Sequence, residues 1–549
     1  MHPHRFALTF AVALVTLAGC SAIREDPAGE QPAPSEIESA LTLPKSRIRT
    51  LGAISYGDVE TSVAYASPPR YRAYSFVARA GDAVDLWVRS KDGDAYAYLT
   101  DASLRVLASN DDADATTTDA HVTSTLASAG AYFVVFREAS LKPATFDVSL
   151  SNAGATVGCD PSTLAPPRSI SSGGDASWDV EPDVANDGRG SIVAVWIAYV
   201  PSLARNRLGY AISRDRGATF SKPSHLDLPP GVGAGDPTVA VDSRGGFYAC
   251  FLGSGASGAH VYLASLPPAA TAFGAPTIVS SDAADPAASD DRPRLTIDGG
   301  DDLLVTWNDT RAASFKTMFT RSTDGARFST PLVLASGPVG LSSACVDRAK
   351  GGATPIYVSY YDGGKLSVLR SIDRGASFAP SSSSPIETGI ADQGSQCIVR
   401  GDEVLVAFAR AGAAVTGADN QPASAIALAR SSDAGKTFPT ITTVFPSSAG
   451  VQYFFPLIFE TPSSALELAV YRVASGKGAL VRARSTDGVT FGSPSTLGST
   501  GPFSNVRGAT GWYGDYMGFS SERAGRAFAV FGDGSSGTSR VSFAAECAP

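Results

Sequence analysis

Between residues 175 and 546, short runs of alternating apolar and polar positions recur in one order along the chain. "EPDVANDGRGSIVAVWIA" and "RLGYAISRDRGATFSKPSHL" set two strands either side of Asn-Asp-Gly, then a third strand, an octet and a short fourth run. Period-two alternation bounded by Gly, Asp and Ser predicts strands joined by tight turns. The same succession starts again near Asp236, Asp291, Ser342, Ser395, Tyr453 and Tyr513. Starts about 50 to 60 residues apart match a four-stranded unit repeated around an axis, a β-propeller. Seven starts are visible, so seven blades are preferred over six. The last unit lacks a fourth strand, and "APPRSISSG" at 165–173 resembles "STPLVLASG" at 329–337. The strand entering the propeller is therefore expected to complete its last blade. The domain is expected over 159–549.

The octet is "SRDRGATF" at 213, "SIDRGASF" at 371 and "SSDAGKTF" at 431, with shorter forms "STDGARF" at 322 and "STDGVTF" at 485. Asp215, Asp324, Asp373, Asp433 and Asp487 suit a turn in which a carboxylate caps backbone N–H groups, and the following Gly supplies positive φ. The pattern resembles the Asp-box of bacterial neuraminidase repeats, so the propeller resembles the sialidase superfamily. An active site is needed once and a hairpin lock in every blade, which makes the octet structural.

Upstream, "YRAYSFVARAGDAVDLWVRS", "DAYAYLTDASLRVLASNDD", "HVTSTLASAGAYFVVFRE" and "ATFDVSLS" predict further strands. Their order resembles the bacterial pre-peptidase C-terminal domain, implying a small jelly-roll-like sandwich over residues 49–153. The fold class is thus all-β. Asn110, Asp111, Asp112 and Asp114 cluster oxygen ligands of the kind calcium takes, with a solvated acidic turn as the alternative. No other cofactor is expected.

The first twenty residues carry "FALTFAVALVTLAG" before Cys20, with Leu17 three positions earlier. This resembles a lipoprotein lipobox, implying export, cleavage at Cys20 and a lipid anchor. Residues 21–48, rich in Pro, Glu and Ser, read as a flexible linker. Ser21 implies the outer membrane by the enterobacterial sorting rule. A formal charge of −9, with no basic run, argues against a nucleic-acid partner. Five further Cys remain: Cys250, with Cys159 and Cys547 expected to approach each other at ring closure, and Cys345 and Cys397 on adjacent inner strands.

Function is sought at the inner strand starts, which converge on one mouth. Trp178, Asp179, Glu181, Asp236, Asp291, Arg292, Ser343, Gln396, Tyr453, Trp512, Tyr513, Asp515 and Tyr516 stand there. Aromatic faces stack on sugars and carboxylates bond their hydroxyls. A metal held by Asp179, Glu181, Asp236 and Asp515 is a further candidate, and rim solvation is the bland reading. "GWYGDYMG" is the richest local stretch, whereas Asp309 and Arg311 are expected to pair locally. The sialidase resemblance implies three carboxylate-binding Arg, a Tyr nucleophile activated by Glu, and an Asp acid/base. The chain departs from it: "WDVEPDV" replaces the Arg-bearing entry motif, and Arg292 and Arg294 lack obvious companions. The preferred expectation is a noncatalytic module binding a glycan or an envelope or extracellular protein. A glycoside hydrolase of the same superfamily and a purely structural scaffold are the alternatives.

Overall fold

The computed structural model describes residues 41–545, apart from 55–57, 79, 115–116, 129, 153–166, 269, 281–284, 312–314, 349–351, 353–354, 415, 417–420, 462–464, 505–510, 522–526 and 536. The export segment with Cys20, most of the linker, Cys159 and Cys547 lie outside the described residues.

The N-terminal sandwich packs two sheets face to face. One runs in the order Ile48–Ala53, Tyr71–Ala78, Gly130–Glu138, Ala95–Asp101, Val106–Asn110; the other runs Asp58–Tyr65, Ala144–Asn152, Ala83–Ser90, Ala120–Thr125. Alternation turns Leu86, Val88, Leu99, Val134, Phe136, Phe146 and Val148 into a common core. The strands Ile48–Ala53 and Asp58–Tyr65 complete the sheets and were not expected; the first pairs parallel with Tyr71–Ala78.

Seven four-stranded blades follow. Their inner strands are Trp178–Asn186, Gly233–Val241, Asp290–Ile297, Val339–Cys345, Gln396–Arg400, Val451–Glu460 and Gly518–Ser521. Each inner strand packs against the next, and the seventh returns to the first, so the ring closes. Strand pairing completes the closure: Arg168–Ser169 pairs antiparallel with Arg540–Ala545, supplying the missing outer strand of blade seven. The number of blades is therefore seven. A ladder pair between Ala423 and Tyr453 additionally ties blade five to blade six.

The octets explain how neighbouring blades mesh. Ser213 Oγ donates to Asp215 Oδ1 at 2.8 Å and accepts the Gly217 N–H at 2.8 Å, while Asp215 receives the Thr219 N–H at 2.8 Å. Ser371, Asp373, Gly375 and Ser377 repeat these bonds, as do Ser431, Asp433, Gly435 and Thr437. Asp373 is held down to about 2, chiefly by the Ser377 hydroxyl, and Asp433 to about 2, chiefly by the Thr437 N–H. The octet glycine lies against the preceding blade: a Cβ on Gly217 would come within 2.5 Å of Phe543, and one on Gly375 within 2.8 Å of Phe319. The octet aromatic follows, with Phe220 edge-on to Phe543 and Phe378 edge-on to Phe319. The octet is a wedge between blades.

Candidate functional site

Five inner strands carry a bulge at the same place, between Val180 and Asp183, Gly235 and Thr238, Asp291 and Arg294, Val339 and Ser342, and Phe454 and Leu457. Four of these bulges consist of a residue at positive φ followed by proline: Glu181 (53°), Asp236 (48°), Arg292 (53°) and Phe455 (58°). Positive φ is uncommon outside glycine, and bulges re-aim side chains toward one point. Here the point is the axis.

The rim side chains stitch blades together. Glu181 Oε1 accepts the Asp515 N–H at 3.3 Å, Asp236 Oδ2 accepts the Arg292 N–H at 3.3 Å, and Gln393 Oε1 accepts the Phe455 N–H at 3.1 Å. Asp392 Oδ1 accepts the Leu341 N–H at 3.0 Å, while its Oδ2 receives Arg292 Nη1 at 2.8 Å. Asp392 thus joins blades three, four and five. Burial alone would pull the Arg292 guanidinium down, but Asp392, Tyr516, Asp515 and Asp291 together hold it well above its ordinary value. Asp291 is pushed up to about 7, by desolvation first and then by the charge of Asp236. Tyr516 is buried, and desolvation followed by Asp236 raises its hydroxyl well above normal. Arg294 lies flat over the Tyr516 ring, 3.7 Å from its centre.

Several residues expected at the mouth do other work. Asp179 is buried, accepting Trp196 Nε1 at 2.9 Å and Arg540 Nη1 at 2.8 Å; desolvation nevertheless raises its pKa. Asp290 and Trp307 repeat the first of these bonds in blade three at 3.0 Å. Tyr513 is buried, its hydroxyl donating to the carbonyls of Thr500 and Pro502. Tyr453 is buried and donates to Pro446 O at 3.2 Å. Trp512 is buried as well, so "GWYGDYMG" packs inward and presents no stacking face. Trp178 alone of these aromatics is partly exposed, but Tyr199 already stacks on it with ring centres 5.3 Å apart. Ser343 Oγ donates to Ser395 O at 2.9 Å. The Asp309–Arg311 pair forms, at 2.8 and 2.9 Å.

Among the described residues, no group of three or more His, Cys, Asp or Glu is arranged to hold a metal ion. Asp179, Glu181, Asp236 and Asp515 are therefore not gathered into a metal centre: Asp179, Glu181 and Asp515 serve the joint between blades seven and one, and Asp236 the joint between blades two and three. In the sandwich, Asn110 Oδ1 accepts the His121 N–H at 3.0 Å and Asp111 Oδ1 the Asp112 N–H at 3.1 Å. Asp112 is raised, by desolvation and then by the charges of Asp111 and Asp114. Cys345 and Cys397 form a disulfide, Cα atoms 5.6 Å apart, between the inner strands of blades four and five. Cys250 is a buried free thiol.

A cavity of about 1200 Å³ runs along the axis, on the side of the bulges toward the inner hairpins rather than the strand starts. Asp183, Thr238, Arg294, Ser342 and Tyr516 lie along its inner end. Gln396 and the stacked pair Phe459 and Phe519, 4.6 Å between centres, line its wall. Asp392, Gln393 and Asp183 are thus residues that sequence reasoning did not single out, whereas Arg294 was noted there only as an inner-strand arginine without companions. The signal for Asp392 was present: "DQ" occupies in unit five the place of "EP", "DP" and "RP" in units one to three.

No protein-family model matches the chain, and no curated protein is similar to it. Solved structures are similar at low identity. A protein of unknown function from Dyadobacter fermentans shows 14% identity over 70% of this chain and 98% of its own, with a TM-score of 0.42. The NanB sialidase from Streptococcus pneumoniae shows 13% identity over 90% and 99%, with a TM-score of 0.38. The GH93 α-L-arabinofuranosidase of Fusarium graminearum shows 10% identity over 70% and 97%, with a TM-score of 0.43. The functional reading rests on the residues of this chain.

Proposed function

We propose that the chain is a noncatalytic binding module of the cell envelope whose propeller takes a glycan into its axial cavity. The observation that carries this reading is the use made of the rim carboxylates. Asp179, Glu181, Asp236 and Asp392 each accept a hydrogen bond from a neighbouring blade, so they act as joints. Hydrolysis by two carboxyls needs them roughly 5 to 9.5 Å apart, with the sugar between. Asp236 instead gives its Oδ2 to the Arg292 N–H, and lies close enough to Asp291 for its charge to raise that carboxyl. The cavity, at about 1200 Å³, exceeds the usual small-molecule range of ~300–1,000 Å³, and its wall mixes hydroxyl, amide and aromatic groups as an oligosaccharide requires.

In this reading the sandwich is an accessory module resembling the pre-peptidase C-terminal domain. The octets are Asp-boxes, and Cys20 carries the lipid that holds the body at the outer membrane. Fatty-acid labelling that persists in Cys20→Ala would count against the anchor.

One observation favours hydrolysis as a second reading: an Asp291 carboxyl raised to about 7 has the proton affinity of a general acid. A glycan array probed with the purified chain, together with turnover assays on a fluorogenic sialoside and an arabinofuranoside, separates the two. Glycan retention without turnover is expected. Turnover that disappears in Asp291→Asn sinks the binding-only reading, and a bare array with a captured envelope protein moves the ligand class from glycan to protein.

A further inference from the structure

We propose that the outer face of the sandwich's first sheet is a membrane-docking surface, which lays the domain on a bilayer carrying anionic phospholipid. The inference rests on the reading of Cys20 as a lipid anchor and specifies which face the tether brings to the lipid.

The sheet of Ile48–Ala53, Tyr71–Ala78, Gly130–Glu138, Ala95–Asp101 and Val106–Asn110 turns one side to the sandwich core. Its other side carries a second apolar layer. Tyr71, Ala73, Tyr98, Val106 and Val135 are buried there, and Ile48, Tyr96, Leu104 and Phe133 pack on them partly buried. The chain enters the domain across this layer: Thr42 bridges Arg105 in antiparallel register, and the Leu43 N–H donates to Leu104 O at 2.9 Å. Leu43 is buried against the layer, whereas Leu41 is 42% exposed. Leu104 holds a φ of 65°, which bulky side chains rarely take. The outward face of an antiparallel sheet is ordinarily polar when it meets water, and this one is aromatic and aliphatic.

Cations ring the layer. Lys45 and Arg47 are exposed in the turn between Leu43 and Ile48, Arg49 is exposed on the edge strand, and Arg105 is exposed beside Leu104. Arg70 and Arg137 lie over the Tyr71 and Tyr96 rings, 5.7 and 4.6 Å from their centres. Among the described residues, Lys45, Arg47 and Arg49 make no ion pair within 4.0 Å. Asp101 stands 3.7 Å from Arg105 and spends Oδ1 on the N–H groups of Ser103 and Arg105. Arg72, opposite Arg49 in the strand pair, is pulled down by burial first and then by the Arg49 charge. The formal charge of the whole chain is −9, so this excess of positive charge is local.

Tyrosine rings suit headgroup depth and Lys and Arg meet lipid phosphates, so the patch has the chemistry of an anionic bilayer interface. The tether favours that occupant over a soluble polyanion. Twenty residues, 21–40, separate Cys20 from Leu41, a reach of at most about 70 Å, and they join the body on this face. The propeller is met from the other sheet: Glu60, which lines its cavity, belongs to Asp58–Tyr65. A lipid and a basic patch together hold a body more firmly than either alone.

Hydrogen exchange on the full-length chain reconstituted with vesicles tests this, comparing phosphatidylcholine alone with an equal mixture of phosphatidylcholine and phosphatidylglycerol. Amides over residues 42–50 and 104–106 should exchange at least about fivefold more slowly on the anionic vesicles, roughly the factor that one basic residue contributes there. Salt at 1 M, where screening acts within about 3 Å, should erase the difference without any substitution. Lys45→Glu with Arg47→Glu and Arg49→Glu should erase it too, leaving exchange in the core strand Gly130–Glu138 as in wild type. Equal exchange on the two vesicle types, or slowing confined to another face, overturns the docking surface. The same slowing in detergent with heparin as probe overturns the bilayer as its occupant. Sedimentation reports the anchor separately. A chain that pellets with both vesicle types yet exchanges alike keeps the anchor and loses the surface. One that pellets with anionic vesicles alone keeps the surface and loses the anchor, and one that pellets with neither loses both.

Discussion

The joint at Asp392 can be broken without touching a charged residue. Gly340 sits in the bulge of blade four, and a Cβ there would meet both Asp392 carboxylate oxygens at 2.3 Å. Gly340→Ala must therefore push the carboxylate out of its place. Two contacts go with it: the Leu341 N–H bond at 3.0 Å and the Arg292 ion pair at 2.8 Å. A hydrogen bond to a charged group contributes about 1.5–3 kcal/mol. The ion pair, with side chains 23% and 30% exposed, adds about 0.5–1 kcal/mol after solvent screening. Replacing glycine returns about 0.4–1 kcal/mol through the unfolded chain. The net expectation is a loss of about 1.5–3 kcal/mol. Denaturant unfolding of wild type, Gly340→Ala, Asp392→Ala and the double variant measures it. In the Asp392→Ala background the methyl has nothing to displace, so Gly340→Ala should become neutral or slightly stabilising. Amide exchange at Leu341 should accelerate in both single variants. If Gly340→Ala costs as much with Asp392 absent as with it present, the cost lies in the backbone and the joint has been misread.

The other expectations concern the same ring. Arg540→Met strands Asp179, which is 1% exposed, and should cost about 3–5 kcal/mol, whereas Asp179→Asn with Arg540→Met should recover part of it in the same unfolding assay. Cys345→Ser with Cys397→Ser opens a loop of 52 residues between blades four and five, a loss of about 4 kcal/mol by chain entropy, read as a lower melting temperature that reductant no longer changes. Asp291 binds its proton more tightly in the folded state than in the unfolded chain. Its contribution is therefore complete at low pH and is lost as pH rises from the ordinary carboxylate range through about 7. Melting temperature followed from pH 4 to 8 should show that decline in wild type and a flatter profile in Asp291→Asn.

The architecture was legible because it is repeated. Each octet marks the exit of a third strand, so the blade register follows from local residues, and even the closing strand at Arg168–Ser169 could be matched to an outer strand elsewhere in the chain. Two strands of the sandwich escaped notice: "IRTLGA" and "DVETSVAY" lie beside turn residues and lack a long apolar alternation. The rim was harder for a different reason. An aromatic beside glycine can be read as an exposed platform, or as a ring for which glycine makes room, and the sequence reads alike in both. Tyr513 is the second kind: a Cβ on Gly532, nineteen positions later, would lie 2.5 Å from the Tyr513 Cβ.

The same ambiguity governs the carboxylates. Asp179 and Asp290 each stand seventeen residues before the tryptophan that binds them, a spacing repeated in two blades and so, like the octets, a mark of structure. Asp392 and Arg292 are one hundred residues apart, and only the ring brings them together. Repetition therefore sorts the residues of this chain by role. Acids and arginines whose counterparts recur from blade to blade hold the ring, through hydrogen bonds that every joint needs. Arg294 breaks that pattern, because the residues at its step in other blades are Asp, Thr, Ser and Leu, and its donors answer to no joint. At that step the charged residues are Asp183 and Arg294, and the Arg294 charge partly offsets the rise that burial imposes on the Asp183 carboxyl.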